Sequence, residues 1–265
     1  MTDWRDSRSV TVSIERSDRV VVCSLEDPAG RNALTAETAR RLSDAIAGIE
    51  DTDARCVLVR GEGDTFCASG DVGAHVGRVR GDIDAAEWRE RLEAVGDAVA
   101  AVYECPLPTV AAIDGPAFGA GAALALACDL RVASTDGSIG FGFRRFGLAA
   151  IAGVSHLLPR VVAPDTALRL LYTGELVGAG RAAELGLFTA LYPADGFEDE
   201  LASLLATLST GPREALIAAK TLLRTDHGEL REGLRAELAV AEPLSKGGDF
   251  EEGVTAFATE REPQF

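Results

Sequence analysis

The stretch from Pro108 to Cys128 constrains the fold more than any other, because an apolar strand runs through a glycine-rich turn straight into an apolar helix. The strand reads PTVAAI, the turn reads DGPAFGAG, and a helix rich in alanine and leucine extends to about Cys128. A strand that feeds directly into a helix predicts an α/β core.

Other elements extend this core toward the N-terminus. A helix is predicted through Leu42, Ile46 and Ile49, with Thr35 as its N-cap, because apolar residues recur at helical spacing. A charged amphipathic helix with a solvated face is predicted at 85–103. The predicted strands cover 10–14, 20–25, 56–60, 108–113 and 130–134.

The pattern becomes helical after about residue 160. The predicted helices cover 165–173, 179–186, 197–208, 211–225, 228–240 and 250–259. We therefore divide the chain into an α/β core at 1–195 and a helical region at 196–265. The sequence leaves open whether the helical region packs on its own core or against another subunit.

The charge balance limits the choice of partner. The formal net charge is −16, from 42 acidic and 26 basic residues, and Lys220 and Lys246 are the only lysines. Nucleic acid is disfavoured as a partner because a phosphate backbone attracts net positive charge. An anionic ligand needs a local cluster of arginines. A halophilic host and an ordinary acidic protein from a GC-rich genome both account for this composition.

The chain is expected to be cytoplasmic, without membrane contact. No apolar run approaches the roughly 20 residues of a membrane span, and the start MTDWRDSRSV lacks the apolar stretch of a signal peptide. The five cysteines contain no CxxC pair, so we expect reduced core residues and neither a disulfide framework nor a metal site. They are Cys23, Cys56, Cys67, Cys105 and Cys128.

Two glycine-bearing loops carry the chemistry that this sequence can offer. GEGDTFCASGDV (61–72) follows one strand, and DGPAFGAGAALALACD (114–129) follows another. Helix N-termini have unpaired N–H groups, and small residues let a ligand approach them. Two loops that each offer one N–H to the same oxygen form an oxyanion hole, worth roughly 3 kcal/mol of transition-state stabilisation per donor. Either loop alone is more often a simple strand-to-helix turn.

Two other readings of these loops are disfavoured. Gly115, Gly119 and Gly121 match the GxxxGxG spacing of short-chain dehydrogenases, but the motif comes late in the chain. The YxxxK pair of those enzymes is missing, since neither Tyr172 nor Tyr192 is followed by lysine at that spacing. A Ser-His-Asp peptidase is also disfavoured, because no serine lies at the start of the second helix.

Five motifs in the correct order resemble the enoyl-CoA hydratase/isomerase (crotonase) family. They are DPAGRNAL, GEGDTFCASGDV, PLPTVAAIDGPAFGAGAALALACDLRVAS, GELVGAGRAAELGLFTALYP and FATEREPQF. The resemblance implies an α/β fold that is a crotonase-like spiral of ββα units with a helical C-terminal trimerisation region. It also implies an acyl-CoA ligand, a homotrimer or dimer of trimers, and no cofactor apart from coenzyme A as part of the substrate.

Carried over residue by residue, the resemblance assigns a site. The backbone N–H groups of Gly70 and Ala120 would form the oxyanion hole, Arg31 would bind the coenzyme's phosphates, and Phe118 and Phe143 would line the acyl pocket, unless they are ordinary core aromatics. The remaining substrate-binding positions are Ala33, Ala68, Ser69, Asp71, Val72 and Gly73.

The family's catalytic acids are absent. Ala123 and Phe143 occupy the positions of the two hydratase glutamates, and Ile151 occupies the position of an aspartate found in isomerases. His75, which we expect at the surface of a variable loop, and Asp114 remain as acid/base candidates. Asp71 is interpreted as structural.

Two functions therefore stay open. The first is a crotonase-family enzyme, of the lyase, isomerase or hydrolase type, that stabilises a thioester enolate but has little ordinary hydratase activity. The second is a non-catalytic acyl-CoA-binding paralogue.

Overall fold

The structure is a computed structural model that describes residues 11–17, 19–27, 31–49, 52–68, 70–224 and 227–265. The strands are β1 (Thr11–Ser17), β2 (Val20–Glu26), β3 (Cys56–Gly61), β4 (Thr109–Ile113), β5 (Pro116–Phe118), β6 (Leu130–Ser134), β7 (Ser138–Gly140), β8 (Leu176–Gly178) and β9 (Ala190–Tyr192). The helices are α1 (Ala36–Ala47), α2 (Val72–Arg80), α3 (Ala85–Glu104), α4 (Ala120–Ala127), α5 (Val154–Leu157), α6 (Pro164–Thr173), α7 (Ala179–Glu184), α8 (Phe197–Thr210), α9 (Arg213–Leu223), α10 (His227–Leu244) and α11 (Gly248–Ala258). Short 3-10 helices cover Gly142–Phe146, Leu158–Arg160 and Ala194–Gly196.

Six strands form the main sheet in the order β1-β2-β3-β4-β6-β9, with β1 antiparallel to β2 and the other neighbours parallel. Parallel strands are usually buried on both faces, so they read as continuous apolar runs. β4 is buried throughout, and β3 opens with the buried run CVLV. Helices α1, α3 and α4 share the larger core on one face, and Phe197 and Leu201 of α8 cover the other.

A second, small sheet runs in the order β5-β7-β8. β5 follows β4 after a short turn, and β7 follows β6 in the same way. Cys67, which comes after β3, forms an isolated bridge to Ala117 of β5. This repetition of two strands and a helix is the predicted ββα plan. The three-residue strands were not predicted, since a run this short contains too few residues for a periodicity.

The predicted main-sheet strands and the C-terminal helices are confirmed, with ends that differ by a few residues. Thr35 caps α1 as predicted, because its Oγ1 accepts the N–H of Thr38 at 3.2 Å. α3 is also confirmed, and half of its length is buried on one side. The prediction of a variable loop around His75 is wrong, because this segment forms α2.

The helical region after residue 195 packs on its own chain. α10 contacts α3 and α5, and α11 contacts α2 and the 3-10 helix Gly142–Phe146. α8 shares a core with the main sheet. These contacts place the helical region against its own chain, and both its packing against another subunit and the division into two regions at residue 195 stay predictions.

Three chemical features of the chain follow from this fold. In the described part of the chain, no helix is long and apolar enough to cross a bilayer. Across the same residues, no three His, Cys, Asp or Glu side chains cluster as metal ligands. All five cysteines are buried thiols, as predicted. Burial raises the pKa of Cys23 and of Cys128 to about 12, so both remain protonated at neutral pH.

Candidate active site

The two glycine-bearing loops meet at Gly70 and Ala120. A Cβ placed on Gly70 lies 3.3 Å from the Cβ of Ala120. The approach is tight, because a Cβ on Gly121 overlaps the carbonyl oxygen of Cys67. Gly115, at φ 127°, likewise has no room for a side chain. Glycine at these two positions is therefore what allows the loops to touch.

Each loop leads into the N-terminus of a helix. Ala120 is the first residue of α4 and follows Gly119, which has φ 59° and offers no side-chain cap. The N–H of a first helical residue has no acceptor within its own helix. Gly70 lies just before Asp71, the N-cap of α2, and forms a bridge to Leu34. The N-terminal ends of α2 and α4, which carry the positive ends of the helix dipoles, therefore lie next to each other.

Asn32 holds the first loop in shape, and the sequence reasoning assigned it no role. It is the only asparagine in the chain and is completely buried. Its Oδ1 accepts the N–H of Asp27 at 2.9 Å. Its Nδ2 donates to the carbonyls of Glu62 at 2.8 Å and Thr65 at 2.6 Å. The signal was available, since a single asparagine between two apolar runs is typical of a turn stabilised by its own side chain.

The positions expected to contact the coenzyme surround this loop. Arg31 is exposed, and its carbonyl accepts the N–H of Ala68 at 3.0 Å. Ala33 and Ala68 are half-buried, and Gly73 is exposed. Ala68 lies in loop 61–72, Arg31 is hydrogen-bonded to it, and Gly73 follows the loop in α2. Val72 is buried in α2, and Ser69 lies outside the described residues.

Apolar side chains occupy the three positions that the resemblance assigns to the family's catalytic acids. Ala123 is fully buried inside α4, and Ile151 is buried. The Phe143 ring lies at 4.0 Å from the place of a Cβ on Gly119, so it borders the start of α4. Phe118 is half-buried, and its ring occupies the space that a side chain on Gly142 would need.

His75 lies in a buried aromatic cluster, and its expected place at the surface is wrong. The side chain is 6% exposed. Its Nδ1 accepts a hydrogen bond from the indole Nε1–H of Trp88 at 3.0 Å. The rings of Phe146 and Phe250 lie 5.4 and 5.6 Å from the imidazole. Burial lowers the pKa of His75 to about 4, and the nearby Asp71 carboxylate offsets part of this shift. The imidazole is therefore neutral at neutral pH.

The two aspartates near the loops differ in their surroundings. Asp71 accepts the N–H of Ala74 at 2.8 Å and faces an Arg91 guanidinium nitrogen at 3.3 Å, so it orients α2 in the way that a structural residue does. Asp114 is half-buried at the turn between β4 and β5, next to Gly115.

Comparison with known proteins places the chain in a family. The family model described as enoyl-CoA hydratase/isomerase matches residues 15–265. A probable enoyl-CoA hydratase of Rhodobacter capsulatus is 35% identical over 259 residues, covering 96% of this chain and 97% of that protein. A putative enoyl-CoA hydratase of Thermus thermophilus is also 35% identical, covering 96% of this chain and 100% of that protein.

Solved structures agree in fold. The crystal structure of an enoyl-CoA hydratase from Mycobacterium avium subsp. paratuberculosis has a TM-score of 0.86 at 30% identity, covering 97% of this chain and 99% of the other. An enoyl-CoA hydratase from Bacillus halodurans also has a TM-score of 0.86, at 25% identity, covering 92% and 99%. The chain belongs to the enoyl-CoA hydratase/isomerase family and has the crotonase fold.

Proposed function

We propose that this protein binds an acyl-CoA thioester with its carbonyl oxygen between the N–H groups of Gly70 and Ala120. The observation that carries the proposal is the contact of these two residues at the N-terminal ends of α2 and α4. Donors fixed by the backbone stabilise the negative charge that develops on a thioester oxygen when an enolate forms. The remote part of the coenzyme would lie along Ala33 and the stretch 68–73, with Arg31 near its phosphates.

Ordinary hydration of a double bond is not the reaction that this site supports best. Hydration needs a group that takes a proton and another that delivers one, and Ala123, Phe143 and Ile151 do neither. General acid–base catalysis contributes about 10²- to 10⁴-fold to a rate. We therefore expect crotonyl-CoA hydration to be slower than in a typical hydratase by about that factor. Isomerisation, decarboxylation and carbon–carbon cleavage all pass through this enolate. Thioester hydrolysis instead forms a tetrahedral intermediate, whose oxyanion the same two N–H groups would stabilise.

A non-catalytic acyl-CoA-binding protein is the second candidate. One observation favours it: a neutral imidazole has one nitrogen that can take a proton, and in His75 this atom, Nδ1, already accepts the Trp88 N–H. Asp114 then remains as the acid/base candidate of the two that the sequence offered. Turnover of any member of an acyl-CoA panel, followed by mass spectrometry, separates the enzyme from the binding protein.

Partners and location follow the same proposal. The ligand is an acyl-CoA thioester, the assembly is a homotrimer or a dimer of trimers, and the compartment is the cytoplasm. The protein uses no cofactor apart from the coenzyme A of its substrate.

The first test is a thermal-unfolding shift with acetoacetyl-CoA, with NADP as the control, at low and high salt. A ligand at 100 times its dissociation constant adds about 2.7 kcal/mol to the free energy of unfolding. We expect stabilisation by the thioester and none by NADP. Ala120→Pro removes the N–H at a first helical position, where proline fits the helix, and should abolish the shift. Ala120→Ser keeps the N–H and should retain it. No shift in the folded wild-type protein at either salt concentration would contradict the proposal.

A further inference from the structure

The hydrogen bond from Trp88 fixes the tautomer of His75. An indole N–H donates and cannot accept, so the Nδ1 atom that it meets at 3.0 Å carries a lone pair. A neutral imidazole with an unprotonated Nδ1 carries its hydrogen on Nε2. Trp88 is fully buried in α3, which keeps this contact away from solvent. His75 is therefore held as a donor at Nε2.

The Nε2–H of His75 has no acceptor among the residues that the structure describes. Nor is it one of the atoms of the described side chains that are sealed from solvent without a hydrogen bond, such as Arg78 Nε. The atom therefore keeps a small solvent-accessible area, although the ring as a whole is almost fully buried. A buried donor without a partner is costly, so such a group needs an acceptor from a bound molecule or from water.

The ring is close to the candidate oxyanion hole. His75 follows Gly70 by five positions across the first turn of α2, and each helical residue advances the axis by about 1.5 Å. Its neighbour Phe146 belongs to the same 3-10 helix as Phe143, whose ring borders the start of α4. Phe250 of α11 closes the cluster. His75 thus lies about one helical turn along α2 from the candidate hole, and its ring packs among Trp88, Phe146 and Phe250.

We propose that the Nε2–H of His75 binds an oxygen on the acyl group and so selects acyl-CoA substrates that are oxygenated at C3, such as 3-oxoacyl thioesters. This inference rests on the proposed acyl-CoA site. C3 lies two bonds from the thioester carbonyl carbon, so in the proposed complex it is the acyl position that we place next to the His75 ring. A site built to pair with a substrate oxygen disfavours the analogue that lacks it, because the donor is then left unpaired.

The test compares dissociation constants for acetoacetyl-CoA and butyryl-CoA, which have four acyl carbons each and differ in the 3-oxo group. The readout is the ratio of the two dissociation constants, compared between the wild type and His75→Phe. A ratio is compared because the 3-oxo group also changes how strongly the thioester binds to the oxyanion hole. We expect the preference for acetoacetyl-CoA to fall about 10-fold in the variant, as for the loss of one hydrogen bond. Affinity for butyryl-CoA should change less than about threefold, well below a tenfold loss.

Two further measurements guard against a variant that folds poorly. In the ¹⁵N spectrum of the wild-type protein, the Nε2–H signal of His75 should move with acetoacetyl-CoA and stay in place with butyryl-CoA. Trp88→Phe removes the hydrogen bond that fixes the tautomer while it keeps an aromatic ring, so a mixture of tautomers and a smaller preference are expected.

The outcomes are distinct. If both thioesters bind and their ratio is the same in His75→Phe, the selectivity proposal is overturned and the acyl-CoA site stands. If neither thioester binds to the folded wild-type protein, both the proposed function and the selectivity proposal are overturned. An unmoved Nε2–H signal in the acetoacetyl-CoA complex shows that water or nothing pairs with His75, which also overturns the proposal.

Discussion

At the scale of single residues, the shape of the candidate site depends on a few residues that would not themselves contact the ligand. Asn32 ties three backbone groups together, and Gly121 leaves room for the carbonyl of Cys67. The proposed oxyanion donors are backbone atoms, so their positions follow from these supporting contacts. A substitution at a supporting residue should therefore alter ligand binding without touching the ligand.

Asn32→Asp tests this dependence. The carboxylate keeps the shape of the side chain but cannot donate to the Glu62 and Thr65 carbonyls, which then lose their partner while buried. We expect a loss of about 2–3 kcal/mol in the free energy of unfolding and a weaker thermal shift with acetoacetyl-CoA. Glu62→Gln is the matched control, since only the backbone carbonyl of Glu62 is used. Equal stability of the two variants would show that Asn32 does not support the loop.

His75 predicts a pH dependence of stability. Its pKa in the folded protein is about 4, below the ordinary value of 6.5. Between these pH values the unfolded chain binds the proton and the folded chain does not, so the free energy of unfolding falls as the pH decreases. The full contribution is about 3 kcal/mol at ~1.4 kcal/mol per pKa unit. Urea denaturation between pH 7 and 4 should show a smaller fall for His75→Gln than for the wild type. Parallel curves would rule out this role.

At the scale of helices and strands, buried charges attach the C-terminal helices to the sheet. α9 has no fully buried residue of its own. Lys220 lies 2.8 Å and Arg224 3.1 Å from the carboxylate of Asp129, which also accepts from the N–H of Thr109 at 2.8 Å. On α10, Glu237 accepts the N–H groups that begin α5. These groups belong to Gly153, at 2.6 Å, and Ser155, at 2.7 Å.

Asp129→Asn should weaken the attachment of α9 to the main sheet. The change leaves two largely buried cations without their carboxylate, which typically costs about 3–5 kcal/mol when such a pair is fully buried. We expect a loss near ~3 kcal/mol, because Asp129 retains some exposure. Glu37→Gln breaks the exposed ion pair with Arg41 and should cost less than about 1 kcal/mol. Urea denaturation measures both, and similar losses would contradict the special role of Asp129.

At the scale of the whole molecule, the acidic surface opposes folding. The net charge of −16 creates self-repulsion in the compact state. Exposed ion pairs, such as Arg40–Glu90 and Arg60–Glu198, offset part of it locally. Salt screens the repulsion over distances of about 10 Å at 0.1 M, and it screens the exposed pairs as well. The balance between these two effects decides how stability responds to salt.

We expect repulsion to dominate, so that salt stabilises the protein. An increase from 10 mM to 0.5 M sodium chloride should raise the Tm by roughly 2–4 °C, which corresponds to about 1 kcal/mol for a chain of this size. Calorimetry without ligand measures the change, and sucrose serves as a control for effects that are not ionic. A Tm that falls with salt would show that the exposed ion pairs outweigh the repulsion.

Much of the fold and part of the site followed from local sequence. The buried strand at 130–134 was predicted to the residue, Thr35 was identified as a cap, and the ordered motifs indicated the family. These features are local because a periodicity, a cap or a motif is complete within a short segment. The same motifs named Gly70 and Ala120 as a pair; the structure brings the two residues together, and their role as oxyanion donors stays a prediction.

Tertiary structure decided what depends on residues far apart in the chain. The three-residue strands exist because of their partners, and the helical region packs on its own core because α10 meets α3. The surroundings of His75 come from Trp88, 13 positions away, and from Phe250, which the fold brings back from α11. A short segment of sequence does not predict such contacts, because they result from the way the whole chain packs its apolar faces together.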